Sequence, residues 1–222
     1  MSRIDVEDYW LERGKKCFAE PKKWGFFYQR EVHKEEQMLM GLLKTFGFDS
    51  ILEVGCGYGR VTKLVLRNFP KVKKMKAIDI SPHQIQNARR YVTDKRVVFD
   101  LGNVKDMEEL KWKDDENYDL VIAVSVLMHI PLEEIELAIK NMVEISNKHI
   151  VNIDWFRPTI AIQEGYCFAH DYTRLYKKFG IKEVQVVPIT KRPSYAVSFG
   201  LDTGIRVFKD RGEMRCIWHA MK

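Results

Sequence analysis

The stretch that most limits how this chain can fold is Ile51-Leu52-Glu53-Val54-Gly55-Cys56-Gly57-Tyr58-Gly59-Arg60, an apolar run that meets an acid and then glycine at every second position. Ile51, Leu52 and Val54 read as a buried parallel strand, and the glycines let the chain turn sharply and approach a bound molecule without Cβ atoms in between. Arg60 onward reads as a helix. Strand, glycine turn and helix in that order place a nucleotide-like ligand at the strand's carboxyl end, near the start of the helix. The spacing argues against two ligand classes. A dinucleotide fingerprint, G-x-G-x-x-G, needs its third glycine at position 60, but Arg60 stands there and the glycine arrives one residue early as Gly59. A Walker-type phosphate loop needs G-K-[ST], and Arg60-Val61-Thr62 supplies no lysine in the required place.

Strands and helices alternate beyond this point. Met75 to Ile80 form a second short apolar strand carrying Asp79, 20 residues past Gly59. An ionised carboxylate there is acceptor-only and can take both hydroxyls of a ribose. Ser81 reads as a helix cap and Pro82 as the first helical residue of the segment that follows. Arg96-Val-Val-Phe-Asp-Leu gives a third strand ending at Gly102-Asn103-Val104, and Asp119 to Val124 a fourth that leads into a loop, Ser125 to His129. His149 to Asp154 is the fifth.

Glu53 before the glycines completes the form [DE]-x-G-x-G-x-G, so the run resembles motif I of the class I S-adenosylmethionine (SAM) dependent methyltransferases. Asp79 and the segment from Ser81 are similar to that family's second motif, and Gly102-Asn103-Val104 to its G-D-A stretch beside the adenine ring. Asn103 departs from the usual aspartate; its amide oxygen still accepts but lacks the charge, which implies somewhat weaker cofactor binding. Asp100 is near enough to compete for the same assignment, although strand alternation would point it elsewhere. Tyr118-Asp-Leu-Val-Ile-Ala-Val-Ser-Val-Leu-Met-His-Ile-Pro resembles the family's fourth-strand segment, where the sulfonium faces the acceptor. The resemblance is strongest over residues 51 to 154. It implies a doubly wound, mostly parallel α/β sheet of Rossmann-like type with an antiparallel C-terminal edge and an N-terminal helical cap. It also implies SAM as cofactor and S-adenosylhomocysteine (SAH) as product. Glu53 would serve the cofactor's amino end, Gly55, Cys56, Gly57 and Gly59 its backbone contact, Asp79 with Ile80 the ribose, and Asn103 with Val104 the adenine. Ser125 and His129 would line the methyl site.

Variants of the fourth-strand segment that mark particular acceptors are missing, both the [DN]-P-P-[YF] of amino-methylating DNA and glutamine enzymes and the Pro-Cys of enzymes attacking pyrimidine carbon. Magnesium-assisted transfer of the catechol type would want a carboxylate where Ser125 stands. Asn152 and Asp154 could bind a cation in principle, but without the first acid no metal is expected.

A chain of 222 residues with 45% hydrophobic content is expected to be one domain: a helical cap to residue 48, a cofactor-binding core over 49–154, and a substrate-side helix with terminal strands over 155–222. No apolar run reaches the roughly 18 residues of a membrane span, and the charged N-terminus is unlike a signal peptide, so a cytoplasmic protein is expected. Cys17, Cys56, Cys167 and Cys216 are scattered without C-x-x-C pairing, which suggests neither zinc nor disulfides. In the tail, Asp171 reads as a cap for a helix through Phe179, stopped by Gly180 and followed by a strand. Thr203 to Asp210 and Met214 to Met221 read as terminal strands, joined by a hairpin over Lys209 to Glu213.

The flanks hold the acceptor information. Tyr9, Trp10, Phe18, Trp24, Phe26, Phe27 and Tyr28 form an aromatic N-terminal region, either a lid that excludes water from the methyl site or plain packing onto the sheet. Arg13 or Arg30 could reach the cofactor's carboxylate. Trp155, Phe156, Tyr166, Phe168 and Tyr172, beyond the fifth strand, either face the acceptor or fill the core. His129 and His170 are the candidate catalytic bases, each with a structural alternative. Arg60, Lys63, Arg67, Lys71, Lys73, Lys74 and Lys76 form a run without an intervening acid, in a chain of net charge +6. A solvated face on the far side from the strand ends is the expected meaning, with phosphate binding as the alternative. The resulting expectation is a SAM-dependent methyltransferase acting on an oxygen, nitrogen or carbon of a small molecule. An enzyme acting on RNA or protein, or a silent SAM-binding module, are the alternatives; nothing in the sequence fixes the oligomeric state.

Overall fold

The computed structural model describes residues 5–19, 34–110, 117–156, 167–189 and 214–222. Seven strands form one sheet: β1 Ser50–Val54, β2 Lys74–Asp79, β3 Val97–Leu101, β4 Tyr118–Val124, β5 Ser146–Phe156, β6 Glu183–Pro188 and β7 Met214–Met221, in the spatial order β3-β2-β1-β4-β5-β7-β6. Strands β1 to β5 are parallel, and β7 runs antiparallel to both β5 and β6. The helices are α1 Val6–Ala19, α2 Lys34–Leu43, α3 Arg60–Asn68, α4 Pro82–Tyr91, the short α5 Met107–Leu110, α6 Ile135–Ile145 and α7 Tyr172–Lys178. This is the doubly wound, mostly parallel architecture expected from the alternation of strands and helices.

Two apolar cores sandwich the sheet, and the central strands feed both by alternation. On β4, Val121 and Ala123 join the core under α6 and α7, whereas Leu120 and Ile122 join the core under α2, α3 and α4. On β7, Trp218 faces the first core and Ile217 the second. Burial on both faces is why these strands read as continuous apolar runs; each fully buried aliphatic or aromatic chain contributes about 1.5–3 kcal/mol.

The antiparallel C-terminal side of the sheet is present as expected, and only the order of its strands is new. Strand β7 does not form the edge: it lies between β5 and β6, and the edge is β6, whose residues are only partly covered. The physical reason is the apolar content of Cys216 to Ala220, all buried, which needs neighbours on both sides. The expected strand over Thr203 to Asp210 and the hairpin over Lys209 to Glu213 lie outside the described residues. Strand β5 also continues past Asp154 through Phe156, because β7 offers partners, Arg215 to Trp155 and Met214 to Phe156, beyond the point where β4 has ended.

The basic run is not one solvated face. Lys76 lies on β2 and is buried, its ammonium threaded to the Glu109 carbonyl at 2.7 Å with Asp100 at 3.7 Å. Arg60 pairs with the buried Glu36 of α2, and Lys63 lies 3.9 Å from the Tyr91 ring centroid.

Helix α4 begins as read: Ser81 Oγ accepts the Gln84 N–H at 3.4 Å and Pro82 occupies the first turn. Ser81→Ala is expected to destabilise the protein by about 1 kcal/mol in urea unfolding. At the other cap, Asp171 Oδ1 accepts the Arg174 N–H at 3.0 Å, and Gly180 ends α7 with φ 88°.

Candidate functional site at the carboxyl ends of the strands

The parallel register brings the ends of β1, β2, β3 and β4 side by side, Val54 opposite both Ile78 and Ala123 and Asp79 opposite Leu101. The glycine turn, Asp79 and the loops after β3 and β4 therefore share one rim. Gly55, Gly57 and Gly59 all have positive φ, of 67°, 54° and 87°. Among the described residues nothing lies within 4 Å of where a Cβ on Gly57 would stand, which leaves open space beside the backbone of the turn. Asp79 closes the turn from β2: Oδ2 accepts the Gly57 N–H at 2.8 Å and Oδ1 the Ser81 N–H at 2.9 Å. Burial raises its pKa, and those two N–H groups pull it back down. Each oxygen keeps a lone pair for a further donor. The glycine turn, the open space and an acceptor-rich acid fit a ribose with an attached nucleobase.

Glu53 is buried and turned toward α3, where it accepts the Thr62 hydroxyl at 2.5 Å. Burial raises its pKa to about 8, helped by the charge of Asp79 and opposed by the Thr62 hydroxyl and N–H. The thiol of Cys56 is likewise pushed well up by burial and by Glu53 and Asp79, and its backbone N–H donates to the Ile78 carbonyl at 2.8 Å. Ile80 lies just past β2, half-buried. Asn103 forms a local turn, its Oδ1 accepting the Lys105 N–H at 3.0 Å, and its Nδ2 donates to Glu7 Oε1 at 3.0 Å. Val104 beside it is buried, and Asp100 points to Lys76 and Arg89 instead.

Helix α1 lies across this rim. Glu7 pairs with Lys105 at 2.5 Å, and the Trp10 ring sits 4.4 Å from the His129 ring. Gly14 packs so closely on α4 that a Cβ there would fall 2.1 Å from Ser81 Oγ, and Phe18 meets His83 at 5.4 Å. One turn after another of α1 thus touches the loop after β3, the loop after β4 and the cap next to Asp79. Trp24, Phe26, Phe27, Tyr28, Arg30 and Tyr166 lie outside the described residues. Arg13, on α1, bears on the Cys17 thiol.

The loop after β4 is held tightly. Ser125 is a non-glycine residue at φ 59°, and its Oγ accepts from Arg215 Nη2. Buried Asp154 clamps the next turn: Oδ1 accepts the Val126 and Met128 N–H groups at 3.1 and 3.2 Å, and Oδ2 accepts Asn152 Nδ2 at 2.8 Å. Asn152 in turn accepts the Tyr176 hydroxyl at 2.9 Å. Asn152 and Asp154 therefore belong to an internal polar network, and among the described residues no group of three or more metal-ligating side chains is gathered.

The two histidines part company. His129 is half-buried on this loop, its Nδ1 3.5 Å from Cys167 Sγ. His170 is buried, hydrogen-bonded through Nε2 to the Ile130 carbonyl at 3.0 Å, with its ring edge-on to Tyr172. Of the second aromatic set, Tyr172 is fully buried against Trp218, and Phe168 is buried beside His170.

Burial holds His170 well below its ordinary 6.5, at about 4. The unfolded chain binds this proton as pH falls below about 6.5 while the folded chain does not, so stability is fully present above that pH and declines toward pH 4. Glu53 and Asp154, whose pKa values are raised, act in the opposite sense. His170→Asn isolates the histidine: urea unfolding between pH 7.5 and 4.5 should show the variant losing less stability with acid than the parent, by a slope of up to about one proton.

Residues that sequence reasoning missed are Arg215, Asp154 as a loop clamp, Cys167 and the pairing of Trp10 with His129. Only Asp154 carried a signal, its place at the end of an apolar strand.

Residues 51–149 match the family described as a methyltransferase domain. The chain is 40% identical over 74 residues to the malonyl-[acyl-carrier protein] O-methyltransferase of Priestia megaterium, covering 33% of this chain and 25% of that protein. It is 27% identical over 152 residues to the tRNA N(3)-methylcytidine methyltransferase of Schizosaccharomyces pombe, covering 63% of this chain and 60% of that protein. The matched stretch thus spans about a quarter of the first relative and under two thirds of the second. Among solved structures, the magnesium protoporphyrin IX methyltransferase of Synechocystis PCC 6803 with bound SAM superposes with a TM-score of 0.66 at 14% identity, over 100% of this chain and 99% of that one.

Proposed function

We propose, from the premise that residues 51–149 match a methyltransferase domain, that this protein is a class I SAM-dependent enzyme that transfers the methyl group of SAM to an oxygen, nitrogen or carbon of a small molecule. The observation that carries this reading is the meeting of the left-handed glycine turn with Asp79, whose Oδ2 takes the Gly57 N–H at 2.8 Å beside open space. When bound, SAM supplies an activated methyl group on a sulfonium. The protein's work is then mostly alignment, a source of roughly 7–11 kcal/mol in favourable cases.

In this reading Gly55, Cys56, Gly57 and Gly59 offer backbone to the cofactor and Asp79 with Ile80 holds the ribose. Asn103 and Val104 border the adenine. Glu53 orients the turn through Thr62 rather than reaching the ligand, and Ser125 borders the methyl site. His129 takes a proton from the acceptor in this reading, while His170 supports the loop through the Ile130 carbonyl. Helix α1 excludes water. The cap, core and substrate-side portions act as one unit, and a cytoplasmic setting fits four cysteines with no disulfide between them; among the described residues no helix is long and apolar enough to cross a membrane.

The net charge of +6 and the similarity to a tRNA methyltransferase favour one second reading, an RNA acceptor. Methyl-labelled SAM offered with small-molecule fractions and with bulk tRNA decides between them. Label entering a low-mass product supports the first reading. Label entering tRNA, and falling steeply with added salt, supports the second.

A further inference from the structure

We propose that Arg215 is the anchor for a carboxylate on the methyl acceptor, so that the acceptor is a carboxylate-bearing compound; the inference rests on the methyltransferase reading above. Because β7 is antiparallel, its first residues return to the carboxyl ends of β4 and β5, and Arg215 arrives opposite Trp155. There it reaches Ser125, the first residue past β4.

The guanidinium is held in place but not used up. Nη1 pairs with Glu35 Oε2 of α2 at 2.6 Å and Nη2 donates to Ser125 Oγ, while Nε is buried without a hydrogen-bond partner among the described residues. The other nearby acids are committed elsewhere, Glu36 to Arg60 and Asp154 to the Val126 and Met128 N–H groups and to Asn152. A second buried donor in the same condition, Trp10 Nε1, belongs to the indole that lies 4.4 Å from His129. The segment Ser125 to His129 is therefore flanked at each end by a buried N–H that lacks an acceptor among the described residues. Such groups are unfavourable unless a ligand completes them. A ligand rich in acceptors and negatively charged does so best, and a planar guanidinium already oriented along one edge suits a carboxylate bound through the other.

The test titrates the full-length protein, with and without saturating SAH, with acetate, benzoate and malonate and with the corresponding amides. At least one acid is expected to bind 10-fold or more tightly than its amide. Arg215→Gln should abolish that preference. Arg215→Lys, which keeps the charge beside Glu35, guards against misfolding in the first variant and should lose most of the preference, since a point charge lacks the fork. Equal binding of acid and amide by the parent protein, or a preference that survives both substitutions, overturns the proposal. If instead Arg215→Gln weakens SAH 10-fold or more while leaving 5′-methylthioadenosine unchanged, the carboxylate recognised is the cofactor's own and the acceptor assignment falls. Failure of the parent to bind SAH counts against the methyltransferase reading alone, because the acid and amide comparison without SAH still judges Arg215.

Discussion

Asp79→Ala is expected to weaken SAH binding by about 100-fold or more, the equivalent of two hydrogen bonds to a charged group at roughly 1.5–3 kcal/mol each. The carboxylate stands at the end of β2 with its oxygens on the Gly57 and Ser81 N–H groups, at 2.8 and 2.9 Å, and with lone pairs left over. Alanine removes the acceptors for the ribose and also releases the glycine turn. Asp79→Asn keeps one carbonyl oxygen and should fall between, about 10-fold weaker than the parent. Calorimetric titration gives both values, and thermal unfolding confirms that each variant is folded. A folded Asp79→Ala protein that binds SAH as well as the parent would remove the ribose assignment.

Gly55→Ala should have the next largest effect, and it should damage fold and binding together. The residue has φ 67°, and a Cβ there would fall 2.3 Å from Val126 Cγ2. Left-handed backbone costs a non-glycine residue roughly 1–2 kcal/mol before any clash. Val126 cannot simply retreat, because its N–H is tied to Asp154 at 3.1 Å. We expect a stability loss of about 2–3 kcal/mol, with SAH binding reduced by about the same 100-fold. Gly57→Ala is the informative contrast. Its φ of 54° carries the same backbone cost, but its Cβ meets nothing within 4 Å among the described residues. It should unfold at a denaturant concentration closer to the parent's and still bind SAH poorly, since the methyl group enters the space left for the ligand. Intact binding by Gly57→Ala would mean that the ligand lies elsewhere.

The portion of the fold that was legible in the sequence is the portion made by local rules. Buried parallel strands announce themselves as apolar runs, glycines at positive φ announce a turn, and Ser81-Pro82 announces a helix start; each is decided within a few residues of itself. The rim proposed for the cofactor was legible for the same reason, because the parallel register carries the ends of β1 to β4 to one line. What escaped was decided at long range. The insertion of β7 between β5 and β6 depends on where Ile217 and Trp218 find cover, not on their own alternation. Arg215 is separated by 90 residues from Ser125 and reaches it only through that insertion. Lys76 reads as one more lysine in a basic run until the fold buries it beneath the Glu109 carbonyl. The two histidines looked equivalent because burial, which separates the half-open His129 from the enclosed His170, is not a property of the residues beside them.

The account's central claim is that the glycine turn and Asp79 hold the adenosyl half of SAM, and the most direct measurement is calorimetric titration of the parent protein with SAH, with NAD as the comparison ligand. The account predicts saturable binding of SAH at one site per chain in the micromolar range and no heat from NAD. A folded protein that takes up no SAH, or that binds NAD in its place, would contradict it.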